Sequence, residues 1–155
     1  MENSDIKPST IMLIAGGAVL AISTFLDWAE IGFSSIDLGS FLGESPDLGV
    51  SGWETEAYGL FGIFLFLIGA VIAGGVAARQ FAGVNLPDSV LGFDHNQLHF
   101  MLGMIAFVPL FGFFLGGPNQ IGVLLGFIAA AVIIAASVMD MRAIGDGEAA
   151  EPTQS

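Results

Sequence analysis

Residues 120–139 read QIGVLLGFIAAAVIIAASVM, twenty positions without one acidic or basic side chain. A hydrocarbon core of about 30 Å is crossed by about 20 residues at 1.5 Å rise each, so this stretch predicts a membrane-spanning helix. Three further apolar runs, 10–26, 57–78 and 98–117, repeat the reading. None alternates with period two, and all exceed the roughly 10 residues of a barrel strand. Internally hydrogen-bonded helices are then the way left to satisfy the backbone in lipid. The expected fold class is all-α: an integral membrane four-helix bundle over 1–142, followed by a disordered acidic tail over 143–155.

The composition agrees. The chain has 155 residues, 54% hydrophobic and 12% charged, with mean hydropathy +0.81, against roughly 25% charged residues in an average soluble chain. It contains no cysteine, which excludes disulfide scaffolds, thiol nucleophiles and thiolate metal sites. A net charge of −12 disfavours nucleic acid and electrostatic attachment to an anionic leaflet. The expected partners are the lipid bilayer and other membrane subunits or a second copy of the chain, with no nucleic acid and no cofactor.

Only three residues are basic: Lys7, Arg79 and Arg142. They precede the first run, follow the second and follow the fourth, so four spans place all three on one side. The positive-inside rule makes that side cytoplasmic, with both termini in and the 27–56 loop and the turn at Pro118 outside. The first run has a second reading, the apolar region of a secretory signal with Ala21-Ile22-Ser23 as cleavage site. Against it, Glu2 and Asp5 outnumber Lys7 in a segment that should be basic.

Loop 27–56 holds seven of the fifteen acidic residues and no basic one. Trp28 and Trp53 flank it, where indoles favour the headgroup layer. Between them, Ile36, Leu38, Phe41 and Leu42 alternate with small and polar residues, a pattern that fits a short hairpin or a short amphipathic helix. Ser51-Gly52-Trp53-Glu54 fits a capping box opening the second span. The connection 79–97 carries Leu86-Pro87-Asp88-Ser89, a turn signal that also fits a helix start, and then Phe93-Asp94-His95-Asn96-Gln97-Leu98. In the latter, Asp94 and Gln97 form a capping-box variant and Phe93 and Leu98 stand at staple spacing.

His95 and His99 are the strongest candidates for chemistry. Four residues apart, they share a helix face, with Asp88 and Asp94 nearby, a spacing able to hold a metal or a haem. Interfacial, capping or core histidines are the plainer reading. No ionisable group lies deep in any run, which speaks against a proton-coupled pump or an intramembrane protease. Pro109 predicts a kink in the third helix. Phe100, Phe107, Phe111 and Phe114 form a stripe that reads as packing or lipid contact, with a ligand groove as the alternative. Gly112 to Gly116 and Gly122 to Gly126, the latter extended by Ala130, match the small-xxx-small pattern of close helix approach. The smooth surface of Gly69, Ala70, Ala73 and Gly74 offers the same on the second span. Spans three and four, separated by a few residues, are expected to pack as an antiparallel hairpin.

Phe25-Leu26-Asp27-Trp28, the Gly/Ser-rich loop and Ser51-Gly52-Trp53-Glu54-Thr55 before a glycine-rich second span give the first half of the chain a resemblance. It resembles uncharacterised small four-span membrane proteins common in actinobacteria. The resemblance implies a bacterial inner membrane and no particular reaction. The function expected is a non-catalytic accessory or structural subunit of a membrane complex. A small transporter or channel beside Pro109, and a metal- or haem-binding redox subunit using His95 and His99, are the alternatives.

Overall fold

The computed structural model describes residues 6–31, 48–54, 60–85, 87, 89–90, 92–116 and 121–149. The chain forms four helices: α1 (Pro8–Ser23), α2 (Phe61–Phe81), α3 (His95–Gly116) and α4 (Ile121–Ala149). Two small antiparallel pairs accompany them, β1 (Asp27–Ile31) with β2 (Leu48–Ser51), and β3 (Ser89–Val90) with β4 (Phe93–Asp94). α2, α3 and the 121–144 part of α4 are long and apolar enough to cross a membrane. α1 is shorter than the expected 10–26 span, at 16 residues, or about 24 Å of helix at 1.5 Å each.

Short as it is, α1 is the centre of the fold. It packs on α2 on one side and on α4 on the other, and α4 packs in turn on α3. The pair Gly16-Gly17 makes this arrangement fit. A side chain on Gly17 would meet the backbone of α2, with Ala73 N and Gly69 O each 2.8 Å from its Cβ position. One on Gly16 would meet α4 at Ile133 and at the Ala129 carbonyl. Consecutive residues on a helix point about 100° apart, so two adjacent glycines bare two different faces. Gly69 answers Gly17 from α2 and approaches the Ala21 backbone nitrogen. The order of the contacts, Gly17 with Ala73 and then Ala21 with Gly69, makes α1 and α2 antiparallel.

The α1–α4 and α3–α4 pairs are antiparallel as well. Ser9 meets Asp140, Gly16 meets Ile133 and Ser23 meets Gly126; Gly103 meets Ile134 and Leu110 meets Gly126. The Gly122–Gly126–Ala130 face is therefore packed, with Ala130 fully buried. Gly112 and Gly116 are not: a Cβ on either would meet nothing within 4 Å. Of the phenylalanine stripe, Phe107, Phe111 and Phe114 close around Phe127 of α4, with ring centroids 4.8, 5.9 and 5.2 Å away. α3 continues through Pro109, and its neighbour Leu110 is fully buried.

At one end, both tryptophans clip the C-terminus of α1. Register shifts between Asp27 and Ala29, and such a bulge re-aims the side chain it carries. Trp28 is only 2% exposed. It donates from Nε1 to the Ser23 carbonyl at 2.9 Å, one of the acceptors a helix end leaves open. Its ring lies against Gly52 and Gly122, where a Cβ would come within 2.8 and 2.5 Å of indole carbons. Phe61 and Phe113 meet it edge-on, each 6.0 Å away. Trp53 donates from Nε1 to Thr24 Oγ1 at 3.0 Å and stacks on Phe25. The expectation of two headgroup anchors is thus corrected for Trp28, which belongs to the core.

Other expectations need correcting. Ser51 ends β2 and accepts from Glu54 N–H in a turn, while α2 starts at Phe61 after Leu60, whose side chain makes no cap bond. The expected capping box there does not form. The segment after Pro87 forms a hairpin through Gly92, whose φ of +82° suits glycine, so no helix starts at Ser89. Residues 143–149, expected in a disordered tail, continue α4. The 36–42 segment, Asp88, the Pro118 turn and residues 150–155 lie outside the described residues.

Gly17→Ala puts a methyl group against two backbone atoms that cannot swing aside. Detergent-solubilised protein is expected to lose about 1–3 kcal/mol of unfolding stability. Gly74→Ala, with nothing within 4 Å, should hold or gain up to about 1 kcal/mol from helix propensity. Equal losses in the two thermal melts would refute this packing.

Candidate functional site

At the end opposite the tryptophans, α2 and α3 diverge. They make few mutual contacts along their length, and between them opens a cavity of about 810 Å³, its remaining walls supplied by α1, α4 and the β3–β4 connection. That volume falls within the range of small-molecule sites. The cavity joins residues that are far apart in sequence. Lys7 and Thr10 come from α1 and its N-cap, Arg79 and Gln80 from the last turn of α2, His95, Asn96 and His99 from the first turns of α3, and Asp140 from α4. The antiparallel order explains the convergence, since each helix contributes the end at which its apolar run begins or stops.

α1 starts with Pro8 in its first turn, a position where the missing N–H costs nothing. Ser9 follows, 4% exposed, and donates from Oγ to Asp140 Oδ1 at 2.6 Å. A serine one residue into α1 thus holds a carboxylate near the end of the α4 span. A carboxylate among apolar helices is costly unless hydrogen-bonded, and this short charge-assisted bond fixes the register of α1 against α4.

His95 and His99 do share a helix face. Their rings meet edge-on with centroids 6.4 Å apart, and both line the cavity. His99 Nδ1 is buried and has no hydrogen-bond partner among the described residues, an uncommon state for a polar atom inside a protein. Of the two carboxylates expected beside the pair, Asp88 lies outside the described residues and Asp94 does not line the cavity. Asp94 is exposed just before α3, its backbone N–H donating to Gln97 Oε1 at 3.4 Å, one half of the expected capping box. Asp140, from the far end of the chain, stands in the cavity instead. Among the described residues, no group of three or more His, Cys, Asp or Glu converges in a way that could hold a metal ion. Two imidazoles alone fall short of the four ligands of a structural metal site.

Lys7, Ser9, Arg79 and Asp140 went unmarked in the sequence as site residues. One signal for three of them was present: with four alternating spans, Lys7, Arg79 and Asp140 all fall at span ends on one side. Pro109 lies outside the cavity lining. Comparison with protein-family profiles, with curated proteins and with solved structures returns no match.

Removing the Ser9 hydroxyl leaves the Asp140 carboxylate short of a donor. Ser9→Ala is expected to cost about 1–3 kcal/mol in unfolding stability. Combined with Asp140→Ala, it should fall short of the sum of the single losses by about 0.5 kcal/mol or more. Strict additivity would show that the bond carries no coupling between α1 and α4.

Proposed function

We propose that this chain is a multi-pass protein of a bacterial cytoplasmic membrane, with both termini cytoplasmic, acting as a non-catalytic accessory or structural subunit of a membrane complex. The observation that carries this reading is the uneven cover of its helices. The most apolar window of α4 is 44% buried, whereas those of α2 and α3 are 28% and 17% buried. Two long apolar helices therefore present most of their surface outward, and Gly74, Gly112 and Gly116 add bare backbone to those surfaces. Lipid solvates such faces, and small residues on them admit a neighbouring helix at close range. Lys7 and Arg79 at one cavity support the cytoplasmic assignment of that end through the positive-inside rule. The acidic 27–56 loop then lies outside.

A transporter path beside Pro109 gains no support from the cavity, which lies toward the beginning of α3. For the metal or haem reading, His95 and His99 remain the donors, and among the described residues no group of three or more metal-ligating side chains forms around them. Bound metal or visible absorbance that disappears in His95→Ala and His99→Ala would restore it.

Purified in mild detergent, the full chain is expected to bring down a partner subunit or to run as a defined homo-oligomer. A lone monomer that conducts substrate into liposomes would overturn the accessory reading. For orientation, a cytoplasm-active reporter fused after Ser155 should be active and a periplasm-active one silent. The opposite pattern would invert the topology.

A further inference from the structure

We propose that the cavity between α2 and α3 is a binding site for a singly charged phosphodiester lipid with a hydroxylated headgroup, of the phosphatidylglycerol type. The inference rests on the membrane reading above, and it is independent of whether the chain serves as an accessory subunit.

Charge comes first. The whole chain is strongly acidic, yet two of its three basic residues, Lys7 and Arg79, face this one cavity. Among the described residues neither is held in an ion pair. Among the described residues the lining holds one carboxylate, Asp140, and it is engaged by Ser9. Over the described lining residues, two cations against one anion leave a single positive charge, which matches a phosphodiester better than a dianionic phosphate. Arginine suits this task because its planar fork binds two phosphate oxygens at once.

The polar atoms left over supply the second argument. His99, whose buried Nδ1 has no partner among the described residues, lines the cavity together with Asp140 and Asn96. These are donors and acceptors for hydroxyl groups, which glycerol carries and choline lacks.

Shape supplies the third. Val71 lines the cavity and is 60% exposed, so the cavity opens sideways rather than only toward the end of the bundle. Phe64, Leu67 and Val71, at spacings of three and four, continue this exposed face along α2 for about 10 Å at 1.5 Å per residue. An acyl chain laid along that face would remain in the bilayer while its headgroup sits between Lys7 and Arg79. A free anion would use the charges and leave the apolar wall idle.

The test uses the full chain in a neutral detergent, with binding read from the thermal shift on titration of short-chain phosphatidylglycerol, phosphatidylcholine of the same chain length, and inorganic phosphate. Phosphatidylglycerol is expected to stabilise with an affinity about tenfold or more above that of phosphatidylcholine. Arg79→Gln and Lys7→Gln should each weaken it about tenfold. Arg142→Gln, a cation outside the lining, should leave it within twofold and guards against a general charge effect. Because both cations lie near the protein surface, the variants should fold, and co-purifying lipid identified by mass spectrometry gives a second readout on wild type and Arg79→Gln. Equal affinity for the two lipids, or indifference to both substitutions, would overturn the proposal. Inorganic phosphate as effective as phosphatidylglycerol would make the site one for a free anion and refute the lipid. A monomer without partners would sink the accessory reading and leave this one standing.

Discussion

The near-contact of three helix backbones around Gly16 and Gly17 is the constraint on which the fold depends. In lipid, burying one apolar side chain against another gains little, because the acyl chains are equally apolar, and association comes from close packing and hydrogen bonds. A central helix must then touch neighbours on more than one side. Adjacent glycines permit this by baring two faces at once, one toward Gly69 and Ala73 of α2, the other toward Ala129 and Ile133 of α4. Polar contacts fix α1 at both ends: Ser9 with Asp140 at its start, the two indoles with Ser23 and Thr24 at its finish. A helix of 16 residues thereby organises three longer ones.

The open seam follows from the same geometry. With α1 and α4 forming the inner pair, α2 and α3 become outer helices that touch little beyond the ring contact of Phe61 with Phe113 at the tryptophan end. Charged residues collect at one end of the gap because apolar runs must stop where the membrane does. Polar cavity and divergent helices are consequences of one arrangement, and the proposed lipid would occupy space that the chain's own side chains do not fill.

Helix number, approximate span limits and the shared side of the three cations were legible in the sequence, because length and apolar content follow directly from bilayer thickness. Pairing was not. The Gly-x-x-x-Gly pattern also marks Gly112 to Gly116, where an added Cβ would meet nothing within 4 Å, and does not mark Gly16-Gly17, which pack against two helices. A glycine becomes a contact only when a neighbour arrives, and spacing along one helix does not specify the neighbour. The same holds at the site. His95 and His99 were readable as a pair because four residues make one helical turn, whereas Asp140 reaches them only through the antiparallel packing of α3 on α4. Trp28 was read from its position next to a span as an anchor. The bulge that turns it inward and the glycines that make room for its ring depend on strand register and on packing partners remote in sequence.

Lipid and protein need not compete for the open flank. The cavity lies at the end where α3 begins, near His95 and His99. Gly112 and Gly116 lie at the other end of α3, toward the tryptophans. A headgroup held between Lys7 and Arg79 leaves the latter surface bare, and a second helix approaching there would meet backbone without displacing an acyl chain laid along α2. A seam that is polar and wide at one end and closed by Phe61 and Phe113 at the other, with Gly112 and Gly116 bare on α3, would let the proposed lipid and a packing partner be held by the same short chain.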